Sequence, residues 1–358
     1  MSMASFTQLG ELLLIVAENT HSRRLLYNAC LVSRMFNMAF TPSLYRCLRW
    51  DASNAHFLHD ESKLDLIIRS GRLSYTRIII VSLPAVVSIE DAWEDRFPRG
   101  DQEGVSWWCG LLDDIYDQVN RALINLFAAA RRLRSFACSQ LALSRECIRT
   151  LSGLPDLRSL YYQFPFTHDF YLGLDVDGTI LTGASYAARV RNYGTPPDDV
   201  NCKRLTRLSL INMCGELDVW KRWLVRVISE SPQLKRLSLS IERQTIERLG
   251  LWSDVRVDDI ECHSNIVQYI SRELGAPLNL ECLRLGDGLQ FPAPDAICAT
   301  KLAEAYISNR MHDMVDPDAP INRLALKDLT ALSKLAFEDM NYPSMKSISQ
   351  EASHTLAS

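Results

Sequence analysis

Two aspartates separated by one residue, Asp175 and Asp177, are the side chains of this sequence with the clearest chemical potential. Gly178 and Thr179 follow them directly. Carboxylates grouped in this way can hold a divalent cation, and an aspartate can also act as a nucleophile. A calcium-binding loop of the EF-hand type does not fit, because the position that should supply its terminal bidentate glutamate is Ala184. The choice left by these residues is between a metal-dependent enzyme and a polar surface turn.

The run Asp175 to Thr179 resembles the opening motif of haloacid-dehalogenase-like phosphatases. The resemblance implies a magnesium-dependent phosphatase in which Asp175 attacks phosphorus and Asp177 acts as acid and base. Acidic pairs at 198–199 and 258–259 would supply the remaining metal ligands. The preceding residues 168–174 contain polar side chains and no β-branched ones, whereas such a nucleophile ends a buried strand. A surface turn rich in Gly and Asp is therefore the favoured interpretation, and the phosphatase is the alternative.

Other motifs of catalysis are missing from the sequence. It contains no phosphate-binding GxxxxGK[ST], no nucleophile-elbow GxSxG and no HExxH. The ten cysteines form no CxxC pair, so they predict free thiols in a reducing compartment rather than a zinc site or a disulfide framework. We therefore expect a non-catalytic protein without a metal or another cofactor.

Composition narrows the class of protein and the kinds of partner. The 358 residues are 47% hydrophobic and 23% charged, which is typical of a folded chain long enough for a small module and a larger repeat domain. A net charge of -4 gives no electrostatic footprint for nucleic acid. No apolar run approaches the roughly 20 residues that span a bilayer, and the N-terminus does not resemble a secretory signal. We expect a soluble intracellular protein, cytoplasmic and/or nuclear, with neither nucleic acid nor membrane as partner.

The strands that must position any functional site are indicated by a recurring pattern. In this pattern, apolar residues stand at positions i, i+3 and i+5. The spacing occurs at Leu133, Phe136 and Cys138; Leu157, Leu160 and Tyr162; Leu205, Leu208 and Leu210; Leu234, Leu237 and Leu239; Leu280, Leu283 and Leu285; Ile321, Leu324 and Leu326; and Leu332, Leu335 and Phe337. Several of the intervals are close to one or two leucine-rich repeats of about 20 to 29 residues. Residues 51–340 are therefore predicted to form an irregular leucine-rich-repeat solenoid of the α/β class with a parallel sheet. Inserts near 165–200 and 241–262 interrupt it, and a flexible tail follows at 341–358.

Helices are predicted between these strands. Ser144 is placed to cap a helix that ends near Gly153, and apolar stripes within 219–228 and 266–274 stop before Pro232 and Gly275. Another stripe runs from 111 to 130. A strand is predicted over 74–83, because its β-branched run ends at a proline.

The first 50 residues have a different, purely helical periodicity. Apolar residues at steps of three and four predict two short helices separated near Thr20 to Ser22, with Thr41-Pro42 ending the second helix and a third turn starting at the proline. So short a segment buries only part of its apolar surface by itself. Leu31, Val32, Met35 and Leu44 are therefore expected to complete their burial against a partner.

These N-terminal residues resemble the F-box motif, in the form common among divergent fungal F-box proteins. The resemblance is carried by Glu11-Leu12-Leu13, by Cys30 to Arg34 with Phe36, and by Pro42 to Tyr45 with Trp50, while Gln8-Leu9 stands where the family usually has Leu-Pro. It implies that residues 1–50 form a three-helix platform that binds a Skp-type adaptor and, through it, a cullin-RING ubiquitin ligase. The residues expected to contact the adaptor are Leu12, Leu13, Leu31, Val32, Arg34, Leu44 and Tyr45.

A target protein would then bind to the repeats. The position before the second apolar residue of each repeat reads Ser135, Ser159, Arg207, Arg236, Cys282 and Arg323. Arg207, Arg236 and Arg323 therefore predict a cationic patch on the concave face, suited to an acidic or phosphorylated partner. The predicted function is that of a substrate-recognition subunit of a Skp-cullin-F-box type ubiquitin ligase. A repeat scaffold without ligase association is the other alternative.

Overall fold

A computed structural model of the chain describes residues 3–50, 61–82, 117–139, 141, 143–164, 202–213, 217–241, 265–286, 289, 292–308 and 330–338. It is an α/β protein in which an N-terminal helical region precedes a nine-stranded parallel sheet. Asp175, Arg323 and the predicted tail at 341–358 lie outside the described residues.

Three helices form the N-terminal region: α1 (Met3–Asn19), α2 (Arg23–Cys30) and α3 (Arg34–Leu44). Ser22 caps α2 by accepting a hydrogen bond from the Leu25 N–H at 3.4 Å, and Ser33 caps α3 by accepting from the Phe36 N–H at 3.3 Å. These three helices share a small core, separate from that of the sheet, formed by Leu13, Ala17, Leu26, Cys30, Ala39 and Phe40.

This outline corrects the sequence prediction of two helices ending at Pro42. The predicted second helix is divided at Leu31 to Ser33, where the chain turns, and α3 continues through Pro42 to Leu44. Proline removes a single backbone donor, and the buried Ala39 and Phe40 one turn earlier hold the helix against α1 and α2. The packing of α3 therefore outweighs the local preference of the residue before proline.

Within the described residues the sheet contains nine strands, each hydrogen-bonded in parallel to the next one along the chain. They are β1 (Cys47–Trp50), β2 (Ile78–Ser82), β3 (Ser135–Ser139), β4 (Ser159–Gln163), β5 (Arg207–Met213), β6 (Arg236–Ile241), β7 (Cys282–Leu285), β8 (Glu304–Ser308) and β9 (Lys334–Glu338). β1 lies within the 1–50 segment that the sequence analysis assigned to the helical module, so the sheet begins before residue 50.

The recurring apolar spacing is explained by the register of these strands. Its second residue falls on one row across the sheet, and its third falls on the parallel row two residues further along. The first of these rows contains Leu48, Ile79, Phe136, Leu160, Leu208, Leu237, Leu283, Ala305 and Leu335. Alternate side chains of a strand point to one face, so from β1 to β7 both rows enter the same core, whereas Leu335 on β9 is 39% exposed.

Helices cover this core face. They are α4 (Glu61–Arg69) between β1 and β2, α5 (residues 117–129) between β2 and β3, α6 (Arg145–Ser152) between β3 and β4, α7 (Leu217–Glu230) between β5 and β6, and α8 (Ile266–Leu274) between β6 and β7. Ser144 caps α6 as predicted, because its hydroxyl accepts from the Cys147 N–H at 3.1 Å. Gly275 follows α8 with φ 63°, a conformation that favours glycine at a helix end. Large aromatic side chains, including Phe127, Phe136, Phe164 and Trp220, fill the space between the layers.

No flexible linker separates α3 from β1, since Tyr45 and Arg46 alone lie between them. The Tyr45 hydroxyl accepts a hydrogen bond from the Arg72 guanidinium at 2.7 Å, and the Tyr45 carbonyl accepts one from the Thr76 hydroxyl at 3.0 Å. The Arg46 carbonyl in turn accepts from the backbone N–H groups of Arg77 and Ile78. The helical region is therefore fixed directly to the first two strands.

The backbone is packed closely where β5, β6 and β7 end. Asn212 has φ 58° at an irregularity of β5, and its backbone N–H donates to the buried Ser240 hydroxyl at 2.8 Å. Gly286 donates its N–H to the Leu239 carbonyl at 2.7 Å, and its Cα lies so close to Ser240 that a Cβ at residue 286 would overlap the Ser240 Cβ. Glycine is required here by space.

Candidate functional site

The N-terminal helices carry an unusual amount of exposed apolar surface. Ten of the thirteen large hydrophobic side chains found exposed in the described part of the chain lie in α1–α3 and their connections: Leu9, Leu12, Leu14, Ile15, Val16, Leu25, Tyr27, Leu31, Val32 and Met38. We call this set the N-terminal apolar surface. Large apolar side chains left exposed in one segment are a common feature of protein-interaction sites.

The exposed apolar side chains of α1 include Leu12, Ile15 and Val16 at helical spacing, whereas Leu9 lies one turn before Leu13, at the edge of the buried side. Leu13 and Ala17 already bury the opposite side in the module core. The helix is thus apolar on both sides, and the chain's own core uses one of them. A helix that is apolar on two sides is normally buried on both, whereas the outer stripe of α1 is exposed in this chain.

Leu31 and Val32 are the most prominent members of the surface after Met38, with exposed fractions of 68% and 67%. They occupy the turn between α2 and α3, which is closed by backbone hydrogen bonds from Leu31 to the Asn28 carbonyl and from Val32 to the Ala29 carbonyl, both 3.1 Å long. The amide of Asn37 braces the same turn by donating to the Cys30 carbonyl at 3.1 Å. Two aliphatic side chains are therefore held outward on a fixed turn.

The other predicted contact residues of the module fall into different environments. Leu12 belongs to the N-terminal apolar surface, and Arg34 is also exposed. Leu13 is 8% exposed and belongs to the module core, and its contact with an adaptor stays a prediction. Leu44 is half-buried against the same core, and Tyr45 is half-buried against the core of the sheet and bonded to Arg72. These two residues position the module.

The sheet face opposite the helices is divided into two halves. On β2–β5 it carries a second apolar cluster of buried side chains, formed by Ile78, Ile80, Ala137, Tyr161 and Ile211. From β5 onward its side chains become charged: Arg207, Arg236, Arg284, Glu304 and Lys334. This second half is a polar surface distinct from the N-terminal apolar surface.

Arg207 and Arg236 are direct register partners on β5 and β6, as the sequence predicted, and Cys282 follows them in the same row. The next two positions are Glu304 and Lys334. β1 and β8 were missing from the predicted set of strands, although Tyr45, Leu48 and Trp50 have the recurring spacing. Leu302, Ala305 and Ile307 have the same spacing, but the small alanine in the second position makes the pattern hard to recognise.

Tyr306 organises the charged side chains of β7–β9. Its ring lies 4.3 Å from the Arg284 guanidinium carbon and 4.7 Å from the Lys334 ammonium nitrogen. Its hydroxyl donates to Glu304 Oε2 at 3.1 Å and accepts from Lys334 Nζ at 2.7 Å. The tyrosine thus holds two cations over its ring and ties the carboxylate into the same network.

The described residues contain no cluster of three or more His, Cys, Asp or Glu side chains that could hold a metal. Among the helices in the described ranges, none is both long and apolar enough to cross a membrane. The seven cysteines in these ranges are free thiols. Burial raises the pKa of the Cys138 and Cys147 thiols well above the ordinary value and that of Cys202 to about 12, so these three are inert near neutral pH.

Cys298 differs from these buried thiols. It is half-buried, its Sγ lies 3.3 Å from the Thr300 hydroxyl, and that hydrogen bond lowers the pKa of the thiol. We expect Cys298 to react with an aromatic disulfide reagent faster than an ordinary exposed thiol near neutral pH, because more of it is thiolate. The phase of the reaction that belongs to Cys298 is the one missing in the Cys298→Ser variant. The measurement is the rate of that phase as a function of pH. Its midpoint should lie below that of a model thiol, and a midpoint at or above it would contradict the assignment.

Comparison of the sequence with protein-family models gives no match, and comparison with curated proteins likewise gives none.

Proposed function

We propose that the protein is a non-catalytic substrate receptor of a Skp-cullin-F-box type ubiquitin ligase. In this proposal the N-terminal apolar surface binds the Skp-type adaptor, and the sheet domain holds a target protein. The single observation that carries the proposal is the exposure of Leu31 and Val32 on a braced turn, within a segment that resembles the F-box motif.

The energetics of the helical region support a docking role. Its core residues, such as Leu26 and Phe40, are buried without contribution from Leu31, Val32 or Leu12. Each of these exposed aliphatic side chains would contribute about 1.5 to 3 kcal/mol on full burial against a partner. Leaving them in water has no folding benefit, whereas an adaptor that covered them would gain that free energy.

The junction between helices and sheet supports the same role. Arg72 and Thr76 hold Tyr45 by hydrogen bonds, and the Arg72 guanidinium also stacks 5.2 Å from the centre of the Tyr45 ring. A receptor without bond chemistry of its own works by raising the local concentration of target lysines near the ubiquitin-conjugating enzyme. A fixed junction makes that concentration independent of linker fluctuations.

The direct test mixes the purified full-length chain with a purified Skp-type adaptor. Calorimetry and size-exclusion chromatography measure whether they bind. We expect a 1:1 complex with a negative heat-capacity change, because apolar surface is buried, and an interface of about 1,200 Å² or more in total. Ubiquitin transfer to a co-purified protein should then depend on adaptor and cullin together. A chain that remains monomeric beside excess adaptor would contradict the proposal and favour a repeat scaffold without ligase association.

A further inference from the structure

The exposed charges of the N-terminal helices are divided by sign. The charged residues of α1 are Glu11 and Glu18, both exposed, and this helix contains no lysine or arginine. The charged residues of α2 and α3 are Arg23, Arg24 and Arg34, all exposed, and neither helix contains an acidic residue. Therefore α1 is acidic, whereas α2 and α3 are basic.

Both kinds of charge lie among exposed apolar side chains. Residues three and four apart are neighbours on the surface of a helix, so Ile15 of α1 lies between Glu11 and Glu18. By the same spacing, Tyr27 of α2 lies one turn beyond Arg24. Ile15 and Tyr27 are each 56% exposed. Each of the two helices therefore presents apolar and charged groups together.

These charges are placed against the dipoles of their own helices. Glu18 lies in the last turn of α1, at the negative end of the helix dipole. Arg23 and Arg24 lie in the first turn of α2, at the positive end. Within the described residues, none of the three forms an ion pair that would offset this arrangement. A partner with charges of both signs would offset it at both helices.

We propose that a second copy of the chain covers the N-terminal apolar surface until an adaptor replaces it; the competition rests on the proposed function, whereas the dimer itself does not. In a twofold dimer both copies use the same surface, so α1 of one copy lies on α2 and α3 of the other, and the reverse contact follows by symmetry. The glutamates of each copy then face the arginines of the other, while the apolar side chains among them leave water. A partner of a single charge sign would suit only one side of the surface.

The test is sedimentation velocity of the full-length chain over a range of concentrations, without adaptor. We expect a reversible monomer–dimer equilibrium that weakens as salt is added, because part of the attraction is between exposed charges. Glu11→Arg/Glu18→Arg and Arg23→Glu/Arg24→Glu each place like charges opposite each other in both contacts. Each should raise the dissociation constant of the homodimer at least about tenfold. The new charges at residues 18, 23 and 24 suit the helix dipoles, so the variants should remain folded.

Mixing the two variants gives the most specific measurement. Their heterodimer again pairs arginine with glutamate in both contacts, so it should form with the affinity of the unaltered homodimer, although neither variant dimerises well alone. A fluorescent label on one variant allows the heterodimer to be followed. The matched control, Arg222→Glu/Arg272→Glu, reverses two exposed arginines on α7 and α8 and should leave the homodimer unchanged.

A chain that stays monomeric at every concentration, a mixture without recovery, or an equal loss in the control would each overturn the inference. Adaptor is then added to the unaltered chain. We expect the dimer to give way to a 1:1 complex, and a dimer that persists with adaptor bound would overturn the competition. A chain that dimerises but does not bind the adaptor contradicts the ligase role alone. A chain that binds the adaptor without ever dimerising overturns the dimer alone.

Discussion

Leu31→Asp/Val32→Asp is expected to abolish adaptor binding while the protein remains folded. Both side chains are exposed on the turn between α2 and α3, so their replacement changes the free energy of unfolding by about 0.5 kcal/mol or less. In the complex, two aliphatic groups worth about 1.5 to 3 kcal/mol each would be replaced by carboxylates in an apolar interface. The affinity should therefore fall by at least about 100-fold.

The measurement is adaptor affinity by calorimetry, together with urea denaturation of the free chain. Leu66→Asp is the matched control, because Leu66 is 70% exposed on α4, outside the N-terminal apolar surface. It introduces one carboxylate at an equally exposed leucine and should leave adaptor affinity unchanged. If the double variant bound the adaptor as tightly as the unaltered chain, the N-terminal apolar surface would have another purpose.

The sequence predicts the parallel sheet well, because its strands bury large apolar residues at a fixed spacing. Leu208, Leu237 and Leu283 fall on one row, as the recurring spacing requires. The spacing is hard to see at β8, where Ala305 takes the place of a large residue, and at β1, which follows α3 with two residues between. Leu48 and Trp50 of β1 and Ala305 of β8 are nevertheless buried in the core of the sheet.

The candidate docking site is less predictable from the sequence, since helical spacing does not say which apolar side is covered. Leu12 and Leu13 are adjacent in the motif, yet one is exposed and the other is in the module core. The division of the predicted second helix at Leu31 to Ser33 depends on the Ser33 cap and on the packing of Phe40. Sequence periodicity alone shows neither the local cap nor the packing.

The charged side chains on β5–β7 are likewise only partly predictable from the sequence. Arg207 and Arg236 were identified because they occupy one position in consecutive repeats. The contact between Arg284 and the Tyr306 ring could not be predicted, because Tyr306 lies on β8, a strand that the spacing did not reveal. Contacts across three strands are set by register, and register follows only once every strand between them is known.

Gly286→Ala is expected to destabilise the sheet by about 3 kcal/mol, at the upper end for overpacking in a closed core. The added Cβ would overlap the Ser240 Cβ and lie 3.3 Å from the Ser240 Cα, and Ser240 is fully buried and hydrogen-bonded to the Asn212 N–H. Ser240 cannot move away without losing its hydrogen bond to β5, and residue 286 cannot move away without losing its hydrogen bond to Leu239 on β6. The free energy of unfolding from urea denaturation measures the effect.

Two further variants separate this steric cause from a general sensitivity of glycines. Gly153→Ala should change stability little, because the nearest atoms to its added Cβ are backbone oxygens at 3.5 and 3.6 Å and its φ of -75° suits alanine. Adding Ser240→Gly to Gly286→Ala should recover part of the loss, although the Asn212 N–H then loses its acceptor. If the double variant were as unstable as the sum of the two single changes, the overlap with Ser240 would not be the cause. The close approach of β6 to residue 286 would then need another explanation.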